Sequence, residues 1–172
     1  MRIVYDASTK FTGPALNNCL HAGPLLLSEV PNVLARFRYH LVVLVAGIEK
    51  ALLMVQIKEA DRNVFHFVRV DDTDSGNPNI VVKCFDGVVF GVASSPFLLN
   101  ATIRHHMTKY EANDPQFMNN FLTSLYVDDL NGGKDSVSEA FGLYKKRKIK
   151  NHRSWIQFKL VDFKFLEAHG MD

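Results

Sequence analysis

Cysteine is scarce in this chain: two residues in 172, Cys19 and Cys84, in unrelated surroundings. Two isolated thiols build neither a disulfide framework nor a cysteine-rich zinc site, and they suit a reducing compartment. Long apolar runs are lacking too. No stretch approaches the ~20 apolar residues that a membrane helix needs. Pro24–Val30 is too short, and Leu41–Ala46 has the length of a strand. Asp6 and Lys10 interrupt any apolar segment near the N-terminus, so a secretory leader is not expected. These absences predict an intracellular protein, in cytoplasm or nucleus, neither secreted nor in a membrane. There is no internal repeat and no low-complexity stretch.

What is present suits one folded domain, with 47% apolar residues to build a core. The net charge of +2 conceals an uneven spread. Lys145–Lys164 holds eight of the 20 basic residues and one acid, leaving twelve bases and seventeen acids elsewhere. A basic tail on an acidic body can serve phosphate binding or can simply be a solvated end. Its aromatics, Trp155, Phe158, Phe163 and Phe165, interleave with the bases, which fits base stacking, although partly buried strand residues are the commoner reason for such a pattern.

Along the chain, Arg2–Tyr5 reads as an extended segment and Ser8–Asn18 as a loop. Ser28 is a plausible helix cap with Pro31 in the first turn, and Val30, Val33, Leu34 and Phe37 fall on one helical face. Arg36, Arg38 and His40 lie off that face, as solvated residues would. Leu41–Ala46 is apolar at every position, the pattern of a central strand buried on both faces, and it stops at Gly47. Val64–Val70 and Ile80–Phe85 read as a hairpin around the acidic stretch Asp71–Asn79. That stretch lacks the ligand spacing of a calcium loop, with no Glu at its twelfth position. After the short strand Val88–Val92, Ser95 and Pro96 begin an amphipathic helix that carries Leu99, Ile103, Met107 and Tyr110. His105 and His106 on it point about 100° apart and do not chelate together. Ser136 and Glu139 form a capping box, with Val137, Ala140, Phe141 and Tyr144 as the buried face of a last helix. Trp155–Leu160 is one more possible strand.

The stretch that carries chemistry is Phe121–Asn131, FLTSLYVDDLN. Its apolar run reads as a strand feeding a tight turn, and the turn holds Asp128 and Asp129. Adjacent carboxylates repel, and either solvent or a hard divalent cation offsets that. The order of elements predicts an α+β fold, an antiparallel sheet with helices on one face, of the split βαβ kind. Leu41–Ala46 and the Asp-Asp hairpin then lie side by side, with position 47 near Asp128.

Six segments together resemble the reverse transcriptase domain of Bel/Pao-type retrotransposon polyproteins. They are RIVYDAS (Arg2–Ser8), GPALNNCLHAGP (Gly13–Pro24), LARFRYH (Leu34–His40), LVAGIEKALL (Leu44–Leu53), VVFGVASSPFLLNATIRHH (Val88–His106) and YVDDL (Tyr126–Leu130). The resemblance implies a reverse-transcriptase palm with partial fingers over residues 1–144, followed by a diverged basic tail over 145–172. It implies RNA-directed DNA polymerase chemistry with Mg²⁺, a template-primer of RNA or DNA, and deoxynucleotides. Asp128 and Asp129 become the catalytic and metal-binding carboxylates, assisted by the backbone carbonyl of Ile48. Arg2, Leu52, Phe90 and Gly91 fall to the nucleotide, and Ser95, Pro96 and Tyr126 to template and primer.

Two positions depart from the family pattern, L-V-A-D-I-E-K-A-F. Gly47 replaces the aspartate that bridges both metal ions, and Leu52 replaces the ring that excludes a ribose 2′ hydroxyl. Losing a bridging ligand in such a site costs on the order of 10³-fold in rate or more. Glu49 is already part of the family pattern and is no relocated ligand. The family's next palm motif, primer grip, thumb, ribonuclease H and integrase are not recognisable. The resemblance therefore predicts an impaired, truncated copy of a polymerase, or a nucleic-acid-binding protein derived from one.

Overall fold

The structure, a computed structural model, describes residues 5–71, 78–151 and 158–165, with residues 146–151 and 158–165 described by backbone alone. The chain is α+β and divides into two compact units. Met1–Gly23 with Leu52–Leu98 forms the first, and Pro24–Ala51 with Leu99–Asp172 the second.

The second unit is organised by its sheet. Strand β1 is Val42–Ile48, and its uninterrupted apolar run places it between two antiparallel neighbours, as expected. The strand order is β4-β5-β1-β6, with β4 at Leu125–Tyr126, β5 at Asp129–Lys134 and β6 at Phe158–Phe165. The residues expected as one more strand are thus partly in β6, while 152–157 lie outside the described residues. Val42, Val43, Leu44 and Ala46 are buried; Leu41, just before the strand, is exposed. Gly133 on β5 permits close approach: a Cβ there would lie 2.5 Å from the Val42 carbonyl oxygen and 2.7 Å from the His40 Cβ.

Among the described residues four α-helices belong wholly or largely to this unit. Helix α2 (Val30–Tyr39) has Pro31 in its first turn, but Glu29 rather than Ser28 holds the N-cap position. The Ser28 hydroxyl instead donates to the Leu122 carbonyl at 3.4 Å. Only Val33 of the predicted apolar face is buried; Phe37 is half-buried, and Val30 and Leu34 are exposed. Two of the three residues expected to be solvated have partners: Arg36 donates to the Thr123 carbonyl at 2.9 Å, and His40 lies 3.3 Å from Asp135. Helix α3 (Ser95–Met107) buries Leu99, Ile103 and Met107 completely, confirming the period read from the sequence. Its first residue is not a cap, because the Ser95 hydroxyl donates inward to the Val89 carbonyl at 2.7 Å.

Helix α4 (Pro115–Ser124) occupies part of the run expected to be a strand. Asp114 caps it, accepting from the Phe117 N–H at 3.0 Å, with Pro115 as the first helical residue. Phe117 and Phe121, one turn apart, are buried. Helix α5 (Val137–Asn151) starts at the expected Ser136 and Glu139, with half of the capping box formed: the Glu139 N–H meets the Ser136 Oγ at 3.4 Å, while the Glu139 carboxylate accepts from the Ser136 hydroxyl at 3.0 Å rather than from its backbone. It runs across the 144/145 boundary. Ala140 is fully buried, whereas Val137 and Phe141 are about half exposed.

In the first unit the segment expected to be a loop holds a helical turn, α1 (Leu16–Cys19). Its Asn17 acts as a strut: the amide donates to the Gly91 carbonyl at 2.9 Å and accepts from the Ala93 N–H at 2.8 Å. Ala7, Phe65, Val89 and Val92 form the core, flanked by Tyr5 and Phe85. Strands β2 (His66–Asp71) and β3 (Asn79–Cys84) pair as the expected hairpin, whose loop residues 72–77 lie outside the described residues. Among the described residues no helix is long and apolar enough to cross a membrane.

Candidate functional site

Helix α4 ends at Ser124, and two strand residues carry the chain into a two-residue turn, Val127–Asp128. Tyr126 pairs with Asp129 across that turn. The turn is sharp enough to hold Val127 at φ 56°. A β-branched residue in the left-handed region is a real outlier, costing about 1–3 kcal/mol. Sequence reasoning missed this strain, since YVDD contains neither Gly nor Asn to announce it. We expect Val127→Gly to raise stability by about 1 kcal/mol in chemical denaturation, because glycine adopts this φ freely. A loss of stability would mean that the Val127 side chain contributes more than its backbone costs.

The register between β1 and β5 places Gly47 directly opposite Asp129. The Ile48 N–H donates to the Asp128 carbonyl at 2.9 Å, which locks the tip of β1 to the turn. Positions 47 and 129 therefore share one face of the sheet, where opposed Cβ atoms would lie about 4.5–5.5 Å apart. On its other side Gly47 pairs with Lys159 of β6. The closeness of position 47 to the acidic pair is thus as expected, with Asp129 the direct cross-strand neighbour. Glu49 cannot extend this face: β1 ends at Ile48, and the chain turns away through Lys50 at φ 52°.

Asp129 has a pKa above the ordinary carboxylate value, first because burial strips water from its carboxyl, second because Asp128 is charged beside it. The folded state therefore binds a proton more readily than the unfolded chain. Its contribution favours folding below the ordinary carboxylate pKa and is lost as pH rises through the raised one. We expect Asp129→Asn to be more stable than the native chain at neutral pH, with the difference shrinking as pH falls from neutral into the ordinary carboxylate range. Denaturation midpoints of both proteins across that range check it; a difference independent of pH would contradict it.

Two Mg²⁺ ions need a larger donor set than this hairpin offers. Among the described residues no group of three His, Cys, Asp or Glu side chains is placed to hold a metal ion. Two adjacent carboxylates and a glycine do not fit a pair of dications, each wanting about six oxygens with bridging carboxylates between them.

No family model and no curated protein matches the chain.

The other candidate residues belong to the first unit or lie outside the described residues. Arg2 lies outside the described residues. Leu52, Phe90, Gly91, Ser95 and Pro96 belong to the first unit, whereas Gly47, Ile48, Tyr126, Asp128 and Asp129 belong to the second. Leu52 is buried at 4% exposure and Ser95 at 2%. The Ser95 hydroxyl donates to the Val89 carbonyl. Phe90 and Pro96 are exposed. Gly91 has φ +87° and packs against the Tyr5 carbonyl, 2.5 Å from where a Cβ would stand, so its glycine has a backbone reason.

Proposed function

We propose that this chain is a reverse-transcriptase-like fingers and palm domain of the Bel/Pao retrotransposon kind, with templated nucleotidyl transfer impaired by the glycine at position 47. The observation that carries the reading is the register of Gly47 against Asp129. A position where the motif pattern expects an aspartate lies directly across from the acidic turn, although the two are 82 residues apart in sequence. Such a placement has to hold for a shared carboxylate site. The strand order adds support: β4-β5-β1-β6, all antiparallel, is the order in which two split βαβ units interleave.

On this reading the turn contributes two acids to where a primer end and a triphosphate would meet, and the strained Val127 holds them there. The impairment is electrostatic. With two carboxylates in place of three, less negative charge is available to hold cations against phosphate.

The vacant carboxylate also favours a second reading, a non-catalytic nucleic-acid-binding protein derived from the same scaffold. A primer-extension assay with Mg²⁺ and deoxynucleotides separates the cases. The expected result is no extension, with template-primer binding that weakens steeply as salt rises. Extension that disappears in Asp128→Ala would overturn the impairment. No binding at low salt would remove the nucleic-acid reading altogether.

A further inference from the structure

A cleft of about 400 Å³ opens between the ends of α2 and α4 and the second half of β5. It lies within the second unit. Neither acid of the turn lines it: on β5 it runs from Asn131 to Lys134, beginning two residues beyond Asp129. Asn131 stands roughly 7 Å along the strand from Asp129, and Lys134 roughly 17 Å.

The lining combines three chemistries. Tyr39 supplies a flat ring, 81% exposed, fixed edge-on to His40 with centroids 5.4 Å apart. Asn119, Asn120 and Asn131 supply carboxamides, each offering a donor and an acceptor together. Lys134 and Arg36 supply positive charge; one Arg36 nitrogen holds the Thr123 carbonyl, which leaves the other donors of its fork. Among the described residues no carboxylate lines the cleft, and the neighbouring Asp135 lies 3.3 Å from His40.

These groups suit one class of ligand. An apolar molecule would leave the amides without partners, and a bare anion would leave the ring unused. A sugar would use ring and amides but would bring nothing to the two cations. A nucleotide uses all three: its base stacks on an exposed ring, its edge offers donors and acceptors to carboxamides, and its phosphate meets the cations. The volume is adequate for one small ligand.

We propose that this cleft binds a single nucleoside monophosphate unit, with the base on Tyr39, its edge on the asparagine amides and its phosphate on Lys134 and Arg36. The unit comes either as a free nucleotide or as one unpaired nucleotide of a single strand. The site goes beyond the polymerase reading and needs neither Asp128 nor Asp129.

Calorimetric titration of the full chain with AMP, adenosine, inorganic phosphate and a short single-stranded oligoadenylate tests this. AMP or the oligonucleotide is expected to bind more tightly than adenosine or phosphate. Binding of AMP assigns the free nucleotide; binding of the oligonucleotide alone assigns the strand. Tyr39→Ala and Lys134→Gln should each weaken binding about fivefold or more. Tyr39→Trp should retain it, and Asp128→Asn should leave it unchanged even if no primer is ever extended. Tyr39 is exposed, so its variants keep the native melting temperature. Phosphate binding as tightly as AMP, affinity indifferent to Tyr39→Ala, or no binding of AMP and oligonucleotide would each overturn the assignment.

Discussion

Gly47→Asp should bind Mg²⁺ or Mn²⁺ at least about tenfold more tightly than the native chain. Affinity at hard-cation sites follows the number of charged oxygen ligands over several decades. The register fixes where the new carboxylate goes, onto the face of the sheet that carries Asp129 and beside the turn that carries Asp128. The backbone permits it, since Gly47 is not among the glycines with positive φ. Without metal the substitution should lower the melting temperature, because a third negative charge joins a pair in which Asp129 is already hard to ionise. With metal the order should reverse. A ligand at a hundred times its dissociation constant stabilises the fold by about 2.7 kcal/mol. Melting curves of both proteins, with and without Mg²⁺, read both effects. A variant whose melting temperature ignores the cation would mean that the face holding 47 and 129 is not a metal seat, and the reverse-transcriptase reading would lose its central support.

The parts of this fold that were legible in the sequence are those where one physical signal acts alone. Leu41–Ala46 has no polar residue, so it could only be interior strand, and β1 is flanked on both sides. Leu99, Ile103 and Met107 repeat at helical spacing and are completely buried. Ser136 and Glu139 mark a helix start, and there the Ser136 hydroxyl accepts from the Glu139 N–H and donates to the Glu139 carboxylate. The readings that failed are those where two signals compete. FLTSLY has strand composition, yet Phe121–Ser124 close a helix whose start was marked by Asp114 and Pro115. The cap fixed the conformation, and β-propensity gave way to it. Periodicity on α2 and α5 located an apolar face but could not say whether anything covers it, so Val30, Leu34, Val137 and Phe141 remain exposed. At the candidate site the two acids and Gly47 were visible as residues. The positive φ of Val127 was not, because no residue type encodes strain that the surrounding sheet imposes.

Phe121→Ala should produce the largest loss of stability of any substitution considered, about 3–5 kcal/mol. The ring is fully buried, with its neighbour Phe117 at 6.0 Å. Removing it leaves a cavity that a close-packed interior can close only in part. At about 2–4 °C for each kcal/mol in a chain of this size, the melting temperature should fall by roughly 10 °C. Phe121→Leu should recover much of that, since it keeps most of the volume. Phe141→Ala is the contrast. That residue too is a phenylalanine on the apolar stripe of a helix in the same unit, but it is 47% exposed and should cost little. The consequence reaches the acidic turn, because α4 ends three residues before Val127 and positions the strand that enters it. Proteolysis or hydrogen exchange at the turn should therefore rise in Phe121→Ala before the unit unfolds globally. Equal losses for the two phenylalanines would show that burial on α4 is not what holds the turn in place.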